Sequence, residues 1–282
     1  MEKAIWVIVV LGGVGIVFGL VLAIANKKFA MEVNPLIEEV EDILPKGQCG
    51  ACGFAGCAKY AEAVVEDPTV PPNLCIPGKS PVAEKVAELT GKKAEATEQR
   101  YAHVKCRGGV GKAVLSFDYQ GIKECNAVKL IQGGPKACKF GCLGFGTCVT
   151  ACNFHALSMG AEGLPAVDKD FCTGCGACAS ACPQKVIDLI PVNAKVAVHC
   201  NSNDKGGDAR KACSQACLGC GICMRNCGYN AIKIVNNLAI VDSHICQTEC
   251  SDPTCFAKCP TKAIQSLIGA DNCSACNEEK AV

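Results

Sequence analysis

Cysteines are the residues of this chain whose spacing points most directly to a chemistry. Twenty-six occur in 282 residues, and many fall into short runs. The clearest run is Cys172-x2-Cys175-x2-Cys178-x3-Cys182, with proline directly after it. Three thiolates at this spacing can wrap one [4Fe–4S] cubane, while the fourth cysteine binds a neighbouring cluster. The run therefore predicts electron-transfer clusters that lie close together.

Two other uses of cysteine fit the pattern less well. A disulfide scaffold is typical of short secreted chains, and we expect no cleavable secretory signal here. Cysteines in CxxCxxC runs are also better placed to converge on a metal centre than to pair with distant partners. Zinc ribbons use four ligands without a crossed fourth cysteine. A structural zinc protein is the alternative from a different functional class.

The overall composition excludes some partners. The net charge is +1, from 28 basic and 27 acidic side chains, so nothing indicates a nucleic-acid partner. Only 5% of the residues are aromatic. We expect the core to be built around clusters as well as apolar side chains, and the metal-free protein to be largely unfolded beyond its first helix.

A separate group of cysteines precedes the main runs, with the spacing C-x2-C-x4-C-x17-C. Its members are Cys49, Cys52, Cys57 and Cys75. Glycine and alanine between them let the backbone approach a cluster and direct N–H groups at its sulfurs. We expect one [4Fe–4S] cluster in a small, mostly helical domain over residues 31–90. Helices are predicted over 31–44 and 58–66, with Cys75 on a proline-rich loop over 68–81.

From Cys125 onward the chain repeats itself. Five cysteines recur seventy-five residues later: Cys125, Cys138, Cys142, Cys148 and Cys152 are followed by Cys200, Cys213, Cys217, Cys223 and Cys227. Four apolar pairs predict the starts of short strands: Ala156-Leu157, Val186-Ile187, Ala231-Ile232 and Ala263-Ile264. Residues 231–241, with Asn236-Asn237 at the centre, predict a tight hairpin. We expect two tandem modules, over 125–199 and 200–282, after a linker with a short strand over 91–124.

The crossed ligand pattern assigns sixteen cysteines of the repeat to four clusters. In the first module the sets are Cys138, Cys142, Cys148 and Cys182, and Cys172, Cys175, Cys178 and Cys152. In the second module they are Cys217, Cys220, Cys223 and Cys259, and Cys246, Cys250, Cys255 and Cys227. Phe145 stands where the second module has Cys220, so Cys138 serves as a ligand in the first module.

Five clusters use twenty cysteines, and the remainder is less clearly assigned. It comprises Cys106, Cys125, Cys200, Cys213, Cys273 and Cys276. A sixth cluster from this remainder stays open. In the second module either Cys213 or Cys220 could be the spare cysteine, and we favour Cys213.

The histidines have no ligand spacing, so we expect surface or loop positions for His103, His155, His199 and His244.

The amino-terminal segment predicts a membrane anchor. Residues 4–25 carry no charge and are almost wholly apolar, and as a helix they would extend about 33 Å. We interpret residues 1–30 as an uncleaved, single-pass anchor. Lys27 and Lys28 follow it, so the positive-inside rule places the later domains on the cytoplasmic side of the inner membrane. Gly15 and Gly19 indicate either a close helix–helix contact or chance.

In combination, these features resemble the RnfB family of Rnf electron transport complexes. The resemblance rests on the anchor, the Cys49–Cys75 domain, the tandem ferredoxin motifs and Tyr101-Ala-His-Val-Lys-Cys106-Arg-Gly-Gly. It covers nearly the whole chain and is closest to the longer, clostridial-type form. It implies an α+β protein with two bacterial-type two-cluster ferredoxin modules. It also implies electron uptake from reduced ferredoxin and transfer toward membrane and flavin-bearing subunits, in a complex that reduces NAD and exports sodium ions or protons.

No motif for substrate chemistry stands out. The chain has no G-x-G-x-x-G loop in a strand–helix setting, and Gly108 to Lys112 lack the spacing of a phosphate loop. We therefore expect no catalytic residue and no flavin or nicotinamide site in this chain. An anchored polyferredoxin of another membrane oxidoreductase, such as a hydrogenase-linked complex, is the runner-up.

Overall fold

The computed structural model describes residues 2–29, 34–94 and 98–268. Helix α1 (Glu2–Phe29) contains the predicted anchor over residues 4–25, and its described side chains are Trp6, those from Leu11 to Ala25, and Lys27. Among the described residues, no helix has both the length and the apolar character needed to cross a membrane. The start of the predicted cluster domain at 31–33 and the cysteines Cys273 and Cys276 lie outside the described residues.

Three helices form the unit that carries the first cysteine group: α2 (Pro35–Ile43), α3 (Cys57–Glu66) and α4 (Lys79–Thr90). Helix α2 begins at a favourable cap, because Asn34 Oδ1 accepts a hydrogen bond from the Leu36 N–H at 3.0 Å and proline follows it. The apolar faces meet in a core of Val40, Leu44, Tyr60, Ala61, Val64 and Val86. The predictions of α2 and α3 are confirmed.

Helix α4 is absent from the sequence-based prediction, which gave a loop over 68–81 and no helix after it. Pro81 discouraged a helix there, but it lies in the first turn, where the missing N–H leaves no intrahelical bond unmade. Gly91 ends the helix with a left-handed φ of 67°. The helical unit therefore extends to the residue at which the predicted linker begins.

Lys92, the second residue of that predicted linker, is tied to the helical unit. Its Nζ donates hydrogen bonds to the carbonyl oxygens of Val64, Asp67 and Val70 at 2.7, 2.7 and 2.8 Å. These carbonyls lie in the last turn of α3 and just beyond it, where a helix has no backbone donors left. Lys92 therefore fastens α4 to the end of α3.

The remaining described chain contains eight short strands in four antiparallel pairs and six short helices. The pairs are β1 (Arg100–Val104) with β4 (Ile187–Pro191), β2 (Leu157–Met159) with β3 (Pro165–Val167), β5 (Val196–Val198) with β8 (Ile264–Ser266), and β6 (Ile232–Val235) with β7 (Leu238–Val241). The helices are α5 (Cys125–Leu130), α6 (Thr147–Thr150), α7 (Ala177–Ala181), α8 (Gly206–Ala212), α9 (Ile222–Arg225) and α10 (Ser243–Thr248).

The strand order shows two copies of one plan. In each copy the first strand pairs with the last, and the two middle strands form a hairpin. The first copy thus begins at β1, inside the predicted linker, and the second begins at β5, ahead of the predicted boundary at residue 200. Sequence spacing alone misplaced both boundaries because these strands pair with strands far along the chain.

Local predictions inside the repeat are confirmed. Strands β2, β4, β6 and β8 each begin at the second residue of a predicted apolar pair. The β6–β7 hairpin turns at Asn236 and Asn237, with φ values of 48° and 62°. Asparagine tolerates this left-handed conformation, which a two-residue turn of this hand needs.

The connecting segment, residues 105–116, packs between the two copies. On the side of the first copy, the Val110 N–H donates to the Glu162 carbonyl at 2.9 Å. On the side of the second, the Val114 N–H donates to the Ala212 carbonyl at 2.9 Å, and the Ser214 N–H donates to the Lys112 carbonyl at 3.0 Å. This part of the predicted linker is therefore an ordered interface.

Replacing Lys92 by methionine keeps the aliphatic stem and removes the three hydrogen bonds. We expect a local loss of about 1–2 kcal/mol, because partly buried carbonyls lose their donor. Amide hydrogen exchange in α3, measured by mass spectrometry, should then accelerate by roughly 5- to 30-fold. Lys93→Met, at the exposed neighbour, is the matched control and should leave α3 unchanged. Equal exchange in both variants would contradict this role of Lys92.

Candidate metal centres

The amino-terminal cysteines gather beside the helical core. Cys52, Cys57 and Cys75 pack against it, and Cys49 lies close enough to Cys75 to act on its titration. Burial raises the pKa of Cys75 to about 11, and the neighbouring sulfurs of Cys57, Cys49 and Cys52 add to the effect. Gln48 shapes this loop, since its side-chain oxygen accepts from the Cys57 N–H at 2.9 Å. The structure brings these four predicted ligands together.

The second copy contains two cavities, each lined by four cysteines. Cys217, Cys220, Cys223 and Cys259 line one, and Cys227, Cys246, Cys250 and Cys255 line the other. These are the two sets that the crossed pattern predicted. The longer spacing around residues 251–254 does not separate the second set, because Asp252, Pro253 and Thr254 line the same cavity.

One predicted set of the first copy also comes together. Burial, together with the neighbouring sulfurs of Cys172 and Cys175, raises the pKa of Cys178 to about 12. Cys152 is buried in the same core as Cys172 and Cys178. The Ala102 N–H of β1 donates to Cys172 Sγ at 3.4 Å, so the first strand of the copy contacts the sulfur directly.

The other predicted set of the first copy differs in one member. The cavity is lined by Cys125, Cys142, Cys148 and Cys182, and Cys138 is not among its lining residues. Cys125 is held there because its N–H donates to Thr147 Oγ1 at 2.9 Å. Phe145 packs edge-on against Tyr119, with ring centroids 5.5 Å apart. Cys125, and not Cys138, thus lines the cavity of the copy in which Phe145 stands in place of a cysteine.

Cys138 lies in a different cavity, between the two copies. This junction cavity is lined by four cysteines: Cys106, Cys138, Cys200 and Cys213. Cys200 and Cys213 are buried, whereas Cys106 and Cys138 are half-buried. Sequence spacing could not group these residues, because they come from the connecting segment and from both copies.

The donor type in these groupings, cysteine sulfur, suits cubane clusters. Within the described residues, no three histidine, cysteine, aspartate or glutamate side chains converge as they would around one metal ion. A [4Fe–4S] cubane binds each thiolate through a different iron, so its ligands surround a cavity instead of meeting at a point. Four cysteines around one cavity are the donor set that such a cluster requires.

Glycines with left-handed backbone conformation let the ligand loops turn against the strands. Gly219, between Cys217 and Cys220, has a φ of 61°, and a Cβ there would lie 2.7 Å from the Asn237 carbonyl oxygen. Gly174 occupies the equivalent place in the first copy, with a φ of 73° and the Arg100 carbonyl in its way. Any side chain would push the ligand loop off the hairpin turn at Gly219, or off strand β1 at Gly174.

The expectation of surface or loop positions for the histidines is wrong for His103. This residue lies in β1, is buried, and packs edge-on against His199, with ring centroids 4.6 Å apart. Its Nε2 lies 3.3 Å from the Val198 carbonyl oxygen. Burial, together with His103 and Arg107, lowers the pKa of His199 to about 3. The two rings join the first strands of the two copies.

Comparison with known proteins gives the class first. Residues 44–77 match a family model described as "Putative Fe-S cluster", and residues 165–188 match one described as "4Fe-4S binding domain". Together with the cysteine-lined cavities, these matches define an iron–sulfur protein with [4Fe–4S]-binding segments.

Whole-chain relatives then give the family. The chain is 60% identical over 268 residues to the RnfB subunit of the proton-translocating ferredoxin:NAD(+) oxidoreductase complex of Clostridium ljungdahlii, covering 95% of this chain and 94% of that protein. It is 43% identical to the corresponding subunit of the ion-translocating oxidoreductase complex of Methanosarcina acetivorans, covering 92% and 96%. It is 37% identical to the Na(+)-translocating counterpart of Acetobacterium woodii, covering 92% and 77%. The chain belongs to the RnfB family, which confirms the resemblance seen in the sequence.

Replacing Gly219 by alanine should cost the protein the cluster held by Cys217 and its partners. The new Cβ meets the Asn237 carbonyl, and the left-handed backbone adds strain. We expect a loss of about four irons per chain, measured by metal and sulfide analysis under anaerobic conditions. Gly207→Ala is the matched control, since a Cβ there has no neighbouring atom within 4 Å. Full iron content in the Gly219→Ala protein would refute the close fit.

Proposed function

We propose that this chain is the iron–sulfur electron-transfer subunit of an ion-translocating ferredoxin:NAD(+) oxidoreductase complex. It takes electrons from reduced ferredoxin and relays them to other subunits. Membership of the RnfB family supports the complex. The observation that carries the electron-transfer role is the series of cavities, each lined by four cysteines, that runs through both copies of the repeat.

We assign five clusters to the five sets of four cysteines that correspond to sets predicted from the sequence. Their ligands are Cys49, Cys52, Cys57 and Cys75 in the helical unit. In the first copy they are Cys125, Cys142, Cys148 and Cys182, and Cys152, Cys172, Cys175 and Cys178. In the second copy they are Cys217, Cys220, Cys223 and Cys259, and Cys227, Cys246, Cys250 and Cys255. This assignment differs from the sequence-based one by exchanging Cys138 for Cys125.

The clusters supply one-electron transfer when bound, and the chain's own residues hold them and adjust their potentials. Backbone N–H donors such as Ala102, 3.4 Å from Cys172 Sγ, favour the more negative, reduced form of a cluster. Burial of ligands such as Cys142, Cys172 and Cys246 keeps water from their sulfurs. NAD reduction and ion transport belong to other subunits, in keeping with the names of the relatives as subunits of a complex.

Residues 4–25 attach the chain to a membrane, with the cluster-bearing domains on the cytoplasmic side. The support is the sequence, which has no ionisable side chain in this stretch and two lysines directly after Ala25 and Asn26. The described apolar side chains from Leu11 to Ile24 are exposed in α1 and need a covering environment. A bilayer together with another membrane subunit would cover them.

A single cysteine change tests the electron relay. Cys175→Ala removes one of four thiolates, so one cubane should be lost, about four irons per chain. In the complete complex, NAD(+) reduction by reduced ferredoxin should fall at least tenfold, because the relay is interrupted. Cys276→Ala, outside the proposed four-cysteine groups, is the matched control and should retain both iron and activity. Unchanged electron transfer in Cys175→Ala, or a wild-type protein that contains zinc and no iron, would contradict the proposal.

Deleting residues 2–29 tests membrane attachment. The truncated chain should be recovered without detergent after a high-salt wash, whereas the full chain should stay with the membranes until detergent is added. Iron content should be the same in both, because the deleted residues contribute no cysteine. Release of the full chain by salt alone would rule out an anchor in this segment.

A further inference from the structure

We propose that Cys106, Cys138, Cys200 and Cys213 bind a sixth [4Fe–4S] cluster at the junction of the two copies, where it passes electrons between them. The inference rests on the iron–sulfur chemistry of the proposed function, but it does not depend on the partners of the chain.

The four sulfurs surround a common space. A Cβ on Gly108 would lie 3.1 Å from Cys213 Sγ and 3.7 Å from Cys106 Sγ. A Cβ on Gly141 would lie 3.5 Å from Cys138 Sγ and 3.7 Å from Cys106 Sγ. Cys106 is thus close to both other sulfurs, and Cys200 lines the same cavity from the second copy. Glycine at both positions leaves the sulfurs room that a side chain would occupy.

Backbone N–H groups point at these sulfurs, as they do at cluster ligands. The Cys142 N–H donates to Cys106 Sγ at 3.3 Å, and the Ser202 N–H donates to Cys200 Sγ at 3.5 Å. A neutral thiol accepts such bonds weakly, while a thiolate bound to iron accepts them well. The donors therefore fit an occupied site better than buried free thiols.

The charges around the cavity fit an anionic occupant. Four thiolates on a cubane give a net negative charge, and Lys105, Arg107 and Lys136 line the junction cavity. Among the described residues, Arg107 Nη1 is a buried side-chain donor without a hydrogen-bond partner, and Arg107 lines this cavity. An unpaired buried donor is costly, and an anionic cluster would satisfy it.

Repeat-related positions supply part of the site. Cys138 and Cys213 are the pair related by the seventy-five-residue shift. Cys106 follows the end of β1 by two residues and Cys200 follows the end of β5 by two residues, although the seventy-five-residue shift pairs Cys200 with Cys125. Both copies therefore contribute cysteines to one cavity.

The junction site is also coupled to the clusters on both sides. The N–H of Cys142, a proposed ligand in the first copy, donates to Cys106 Sγ. In the second copy the backbone of Cys217, also a proposed ligand, hydrogen-bonds to Cys200. Each step moves one electron: the cluster that gives it is oxidised, the junction cluster is reduced, and the next transfer restores it.

The test compares single alanine variants of the full chain, purified anaerobically, by iron, sulfide and EPR analysis. The wild type should carry about 24 irons, six cubanes of four. Cys106→Ala should lose about four irons and one EPR component of the reduced protein. Cys125→Ala should lose about four irons from a different cluster, because Cys125 has taken the place of Cys138. Cys276→Ala is the matched control and should lose none.

A wild-type content of about 20 irons, or full iron in Cys106→Ala, would overturn the junction cluster while leaving the proposed function intact. Full iron in Cys125→Ala would also overturn it, because Cys138 would then be needed in the first copy. If Cys106→Ala does not fold, the wild-type count and Cys125→Ala decide the question. A wild type without iron would instead overturn the proposed function itself.

Discussion

The candidate metal centres of this protein depend on cysteine sulfurs that the fold gathers and that a bound metal would stabilise together. Burial and neighbouring sulfurs together raise the pKa of Cys75, Cys148, Cys200 and Cys255 to about 11. Without metal these thiols hold their protons, and the chain has few large apolar side chains to pack in their place. Iron must displace the protons to bind, so cluster insertion and folding are coupled.

The two copies of the repeat bring the cysteine groups close together, as electron transfer between clusters would need. In each copy the first strand pairs with the last, which closes the copy around its cysteines. The connecting segment then hydrogen-bonds to both copies and brings Cys106 between them. The contact of His103 with His199 fixes the first strands of the copies against each other. Because the copies share one interface, cysteines that look spare within each copy can act together.

Local features of the sequence were sufficient to predict much of the fold and much of the candidate site. The hairpin at Asn236 and Asn237, the strand starts after the cysteine runs, and helices α2 and α3 all depend on neighbouring residues. Helix α4, the place of strand β1 within the first copy and the role of Lys92 were missed. In these cases proline and charge suggested a loop or linker, while packing and hydrogen bonds to distant residues decided otherwise.

The sequence by itself determined the chemistry that the chain is suited to: the residue type, the spacing of the runs and the repeat indicate iron–sulfur clusters, because thiolates a few residues apart can reach one cubane. Only the tertiary structure shows which cysteines line each cavity. Cys125, and not Cys138, lines the cavity of the first copy with Cys142, Cys148 and Cys182, and Cys138 lines the junction cavity with Cys106, Cys200 and Cys213. Spacing along a chain limits what nearby residues can share, whereas contacts between distant segments depend on how the two copies pack.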